Sequence, residues 1–183
     1  MSHLRLVIAA AVLAVVMACG HTTNSFTMLN MMDMMDRVAS PDQIKATPIP
    51  GDSHAAYIPK LEAFAETQGV LVLSYPGAES DWGTFNHITG IIWINSTMSP
   101  NQQVATLVHE IGHVLQPAEL GIGGPADVFA EAVSFIYCNR IGLDTAHSSF
   151  AYLRSNGLLA RMTIHQYEKE INAVVDELIR VIQ

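Results

Sequence analysis

The chain has 183 residues, which suits one domain with short appendages. Half of the residues are hydrophobic, so a sizeable core can form, and 17 acidic residues against 9 basic ones give a formal charge of −8. That balance speaks against a nucleic-acid partner, which would need a basic patch. Only two cysteines are present, Cys19 and Cys138, so a zinc finger or ribbon is excluded.

Residues 1–18 read as a signal peptide. One arginine precedes an unbroken apolar run over 6–18. Thirteen residues are too few for a transmembrane helix, which needs about 20, and match a secretory h-region. The run ends in Val16-Met17-Ala18-Cys19-Gly20, which resembles a bacterial lipobox. Cys19 is then the lipid-attachment residue, and the chain is anchored in the cell envelope outside the cytoplasm. An ordinary cleaved signal and an uncleaved anchor are the alternatives.

Residues 19–52 read as a tether. Met28, Met31, Met32, Met35 and Val38 recur at helical spacing. A methionine cluster can hold Cu(I), but an adaptable packing face is the simpler use. Three prolines and a glycine over 40–53 mark a linker. The main domain, 53–183, then opens with a helix over 57–68 that stops at Gly69. An apolar strand follows over 70–74. Segments 84–87 and 91–95 read as a hairpin, so the sheet is small and largely antiparallel.

Next comes Thr106-Leu-Val-His-Glu-Ile-Gly-His-Val-Leu115, which contains the HExxH pattern. Ser99, Pro100 and Gln102 form a helix start with a capping box, and the apolar periodicity runs to Leu115 before Pro117. Positions four apart on a helix are neighbours, so His109 and His113 can aim two imidazoles at one point. Glu110 is close enough to reach a water held there. Two nitrogen ligands and a carboxylate of this kind make a metal-activated hydrolase site. Gly112 is costly inside a helix, which predicts close approach of another segment. A second helix over 125–141, a short one over 149–156 and a final amphipathic helix over 163–182 complete an α+β chain, a small sheet followed by a helical bundle carrying the site.

A catalytic zinc needs a third protein ligand and an open position. Glu119, Asp127, Glu131, Asp144 and His147 are the downstream candidates. Glu131 is favoured, because it lies mid-helix in an apolar stretch where an unpaired carboxylate is expensive. Asp127, one turn away, could hold a histidine N–H from behind. His54 and His87 read as surface or satisfied histidines, Cys138 as a small buried side chain, and Trp82 and Trp93 as core.

His109-Glu-Ile-Gly-His-Val-Leu115, with Ala130-Glu-Ala-Val-Ser-Phe-Ile-Tyr-Cys138 and Gly142-Leu-Asp-Thr145 downstream, resembles the ImmA/IrrE group of metallopeptidases. The version attached to ArdC-type antirestriction proteins looks closest. The resemblance runs from about Gly83 to Leu153. It implies one catalytic Zn²⁺ held by His109, His113 and Glu131, with Glu110 as acid and base, and a peptide or protein as substrate. Two departures stand out. Members of the group are typically cytoplasmic, and the usual N-terminal DNA-binding companion is absent, so regulatory and antirestriction roles do not carry over. His147, Tyr152 and His165 are candidates for an extra oxyanion donor, and strand 91–95 could pair with an extended peptide. A zinc-binding but non-catalytic lipoprotein that recognises peptides or a protein partner is the alternative function.

Overall fold

The computed structural model describes residues 31–33, 47–78 and 80–182. Cys19, the apolar leader and most of the methionine stripe lie outside the described residues. The domain is α+β, a three-stranded sheet followed by helices. Helix α1 spans Ile58–Thr67. The strands are β1, Leu71–Tyr75; β2, Gly83–Asn86; and β3, Ile91–Asn95. Five helices follow: α2, Pro100–Leu115; α3, Gly124–Arg140; α4, Ala146–Ser155; α5, Gly157–Gln166; and α6, Glu168–Ile182.

The sheet order is β1-β3-β2. The hairpin between β2 and β3 forms as the turn residues predict, with Phe85 opposite Ile92. The sheet is mixed rather than largely antiparallel, because β1 runs parallel to β3, with Leu73 opposite Trp93. The loop after β1 carries the chain across the end of β3 to the far edge. β3 is thereby central, which matches its near-continuous apolar sequence. Its backbone is paired on both sides, so it cannot accept a peptide as expected of it. Among the described residues, the sheet edge beside the motif helix is β2.

Helix α2 begins where its cap predicts: Ser99 Oγ accepts from the Gln102 N–H at 3.1 Å. The other half of the capping box is not made. Gln102 Oε1 instead accepts from the Ile49 N–H at 2.9 Å, and its Nε2 donates to Thr106 Oγ1 at 3.1 Å. Ser99 Oγ also donates to the Ile49 carbonyl. Asn101 Nδ2 donates to the Pro50 carbonyl at 2.8 Å. The segment around Ile49 and Pro50 is therefore a strap held on the first turn of α2, and Ile49 and Met31 are buried in the core.

Helix α3 packs against α2, and Gly112 is the reason they come so close. A Cβ on Gly112 would stand 2.9 Å from Ala130 Cα. Beside this contact, Ser134 Oγ donates to the Ala105 carbonyl at 2.9 Å. The two helices run in opposite senses past each other, so Glu131 comes beside His109 and Asp127 beside His113. The expected single helix over 163–182 is two helices that meet at Tyr167, with Ile164 buried on one and Ile171 on the other. Among the described residues, no helix is long and apolar enough to cross a membrane.

Candidate active site

One turn of α2 sets His109 and His113 side by side, with ring centroids 5.0 Å apart. Each imidazole is held from behind. His109 Nδ1 lies 2.9 Å from Glu131 Oε2, and His113 Nδ1 lies 3.1 Å from Gln116 Oε1. Both partners are acceptors, so each Nδ1 carries a proton, and whenever the ring is neutral its Nε2 keeps the lone pair. Asp127 Oδ1 lies 3.4 Å from His113 Nε2. One ligand atom from each of His109, His113 and Asp127 falls within 4.8 Å of the others.

This grouping departs from the expected ligand set. Glu131, the favoured third ligand, is turned onto the back of His109, and Asp127 joins the two histidines instead. The two acids are one turn apart on the same face of α3, and their spacing cannot say which lies nearer the metal point. The antiparallel crossing at Gly112 and Ala130 sets which acid meets which histidine, Glu131 beside His109 and Asp127 beside His113. The other candidates lie elsewhere. Glu119 is exposed. Asp144 accepts from the Ala146 N–H at 3.0 Å, at the start of α4. His147 and His165 are exposed and line no cavity described here.

Two imidazole nitrogens and a carboxylate oxygen are the donor set of a catalytic zinc, and both imidazoles are already oriented by acceptors, as zinc-binding histidines usually are. The residues present therefore fit the ion. Without metal, the group is an electrostatic cluster. Burial works against a charged His109, but the Glu131 hydrogen bond and charge outweigh it and raise its pKa to about 9. Burial and the His109 charge lower His113 to about 4. Burial would raise Glu131, yet the His109 contact holds it below the usual carboxylate range.

Glu110 is only 6% exposed. Burial pushes its carboxyl above the usual range, against the opposing pulls of His109 and of a hydrogen bond from the Phe85 N–H of β2. A carboxylate poised upward in this way is suited to taking and returning a proton near neutral pH. A cavity of about 310 Å³ opens in front of it. Strand β2 forms one wall through Thr84 and Phe85, while His87, Ile122 and Asp127 form the rest with the motif residues. His87 stands at the mouth, its ring centroid 6.2 Å from that of His113. No sequence signal marked His87 or Ile122, because both come to the site from turns that only the fold brings there. Gln116 was legible in principle, three residues beyond His113 at the end of the same helix.

A second cavity, of about 330 Å³, adjoins the first, and Gly83, His109 and Glu110 line both. Tyr152 lines this second space. Of the three expected oxyanion donors it alone comes near the site, where burial and the Asp127 charge raise its hydroxyl.

Residues 65–128 match the family model described as the IrrE N-terminal-like domain, Peptidase_M78. Over that segment the chain is similar to ImmA/IrrE-type metallopeptidase domains. The match takes in the whole sheet, the HExxH helix and the first turn of α3 up to Asp127, and stops short of Glu131. The narrower likeness to ArdC-type proteins rests on residues 130–145, beyond the matched segment. No curated protein and no solved structure is detectably similar to the chain.

Proposed function

We propose that this ImmA/IrrE-type domain is a zinc-dependent peptidase. The observation that carries the reading is the convergence of His109, His113 and Asp127 beside a buried Glu110, next to a strand at the edge of the sheet. His109, His113 and Asp127 would hold the ion, and Glu131 and Gln116 would fix the two imidazoles in the tautomer that leaves Nε2 free. A zinc ion there supplies a Lewis acid that lowers the pKa of a water and polarises a carbonyl.

The chain's own residues do the rest. Glu110 accepts a proton from the attacking water as the new C–O bond forms. It returns that proton to the amide nitrogen as the C–N bond breaks. Strand β2 offers an extended peptide a backbone edge along the cavity, and the Glu110 contact to the Phe85 N–H fixes the base relative to that edge. His87 and Tyr152 are the groups placed to donate a hydrogen bond to a developing oxyanion.

The test is cleavage of a peptide library by the zinc-loaded protein, with Glu110→Gln as the comparison. Wild type is expected to cut, and the variant to keep zinc and fold while losing nearly all activity. If wild type cuts nothing while holding zinc, the alternative of a non-catalytic peptide-binding protein takes over. Export and lipid attachment at Cys19 belong to the same proposal and stand on the apolar leader and lipobox. Incorporation of a labelled lipid precursor that disappears in Cys19→Ala supports them, and an unlabelled wild type rejects them.

A further inference from the structure

We infer that the second cavity is a subsite for a lysine or arginine side chain of the substrate, beside the bond to be cut; this deepens the peptidase reading and rests on it. The two cavities meet at Gly83, His109 and Glu110. A residue neighbouring a scissile bond at Glu110 therefore has this space within reach. Gly83 packs closely at this junction: a Cβ there would come within 2.7 Å of Thr106 Cγ2 and 2.8 Å of the Trp93 carbonyl. The cavity continues along the N-terminal half of α2, past Ala105 and Gln102, toward the start of α4.

Its lining has two chemistries. Ile49, Trp82 and Ala105 offer an apolar wall. Thr145, Ser148 and Ser149 offer hydroxyls, and Asp81 and Glu131 offer carboxylates. Among the described residues, no lysine or arginine lines the space. Glu131 accepts from His109 and Ser149, and Asp81 accepts from the Tyr75 hydroxyl. A carboxylate has about four lone-pair sites, so both keep acceptor capacity.

The occupant follows from this lining. An acidic side chain would meet Asp81, Glu110 and Glu131 and be repelled. A wholly apolar one would strip water from hydroxyls and carboxylates without replacing its hydrogen bonds. A lysine or arginine lays its aliphatic stem on Ile49 and Trp82 and gives its donors to the oxygens. The chain's net charge of −8 favours the approach of such a basic segment. The strap on α2 completes the wall, since Ile49 is positioned by Gln102 and Ser99.

The experiment uses the zinc-loaded protein and acetyl-Ala-Ala-Xaa-Ala-Ala-amide peptides in which Xaa is lysine, arginine, norleucine or glutamate. Binding is read by tryptophan fluorescence in Glu110→Gln, with Trp82 in the cavity wall as reporter, and cleavage is read in the wild type. The lysine and arginine peptides should bind at least about tenfold more tightly than norleucine, as a charge-assisted hydrogen bond warrants, with glutamate weakest. Adding Asp81→Asn or Ser148→Val should shrink the lysine-to-norleucine ratio to within about threefold while norleucine binding by the Asp81→Asn protein stays put. Asp81 is exposed, so its variant remains informative if Ser148→Val misfolds. Equal binding of lysine and norleucine, or a ratio unmoved in Asp81→Asn, overturns the subsite. Cleavage of all four peptides alike would do so while upholding the peptidase. Preferential lysine binding without cleavage by wild type would uphold the subsite and reject the peptidase.

Discussion

Glu131 Oε2 sits 2.9 Å from Nδ1 of His109, while the carboxylate grouped with His109 and His113 is that of Asp127. A half-buried carboxylate in that place accepts the Nδ1–H, sets the tautomer and raises the basicity of Nε2. One turn earlier on α3, Asp127 directs its own carboxylate at the cluster. Under the proposed function, the two acids of α3 would divide the work, Asp127 binding the metal and Glu131 orienting His109.

That division predicts unequal losses. Glu131→Gln keeps an acceptor behind His109 and should weaken zinc binding about 10–100-fold. Asp127→Ala removes one of three ligands and should weaken it further, with helix content unchanged in both. Competition with a chromophoric chelator measures the order. A larger loss for Glu131→Gln would exchange the two roles and restore Glu131 as the ligand.

Zinc uptake should release protons in a pattern set by the same cluster. In the metal-free protein His109 titrates at about 9, so at pH 7.5 its ring is protonated on both nitrogens. His113 titrates at about 4 and is already neutral. Binding therefore displaces about one proton from His109 and none from His113. Affinity should rise with pH until about 9 and then level off. Calorimetry in buffers of different ionisation enthalpy counts the protons. Glu131→Gln removes the partner that raises His109 and should lower the count at pH 7.5. An unchanged count would mean that the proton comes from another group.

Much of this site can be read from the chain alone, and the remainder fails for definite reasons. The Ser99 cap and the apolar spacing to Leu115 are local signals, so α2 falls where they place it. Gly112 announces a close neighbour because only a missing Cβ explains a glycine at that cost. Which acid of α3 faces the metal depends on how two helices cross, and no spacing within one helix encodes that. The parallel pairing of β1 is likewise non-local, fixed by a loop that crosses the end of β3. Tyr167 ends α5 where the apolar periodicity of 163–182 runs on, since the pattern reports a buried face and not the continuity of the axis. Gln102 has the right position for a capping box, but Ile49 and Thr106 compete for its side chain and win.

The strap over the first turn of α2 should contribute measurable stability. Asn101 Nδ2 donates to the Pro50 carbonyl at 2.8 Å, and Asn101 Oδ1 accepts from the His54 N–H at 3.0 Å. Asn101 is 6% exposed, so Asn101→Ala leaves both backbone groups short of a partner. A loss of about 1–3 kcal/mol is expected, read from urea unfolding as a lower midpoint at constant slope. An unchanged midpoint would show that water replaces the asparagine side chain and that Ser99, Gln102 and the backbone bond from Asn101 to Gly51 hold the strap.

Gly112→Ala brings the same reasoning to the helix crossing. In an open helix the change would stabilise by about 1 kcal/mol, because alanine is the better helix former. Here the new Cβ would stand 2.9 Å from Ala130 Cα and 3.2 Å from Ala130 Cβ, so α2 and α3 must part. Overpacking of this kind costs about 1–3 kcal/mol, and the strain falls between His109 and Glu131. The variant should therefore unfold at a lower temperature and also bind zinc more weakly, a pairing that loss of helix stability alone would not produce. Adding Ala130→Gly removes the 3.2 Å contact but leaves the closer one to Cα, so rescue should be partial. A Gly112→Ala protein as stable as wild type with undiminished zinc affinity would mean that the helices cross farther apart, and the placement of Asp127 and Glu131 would fall with it.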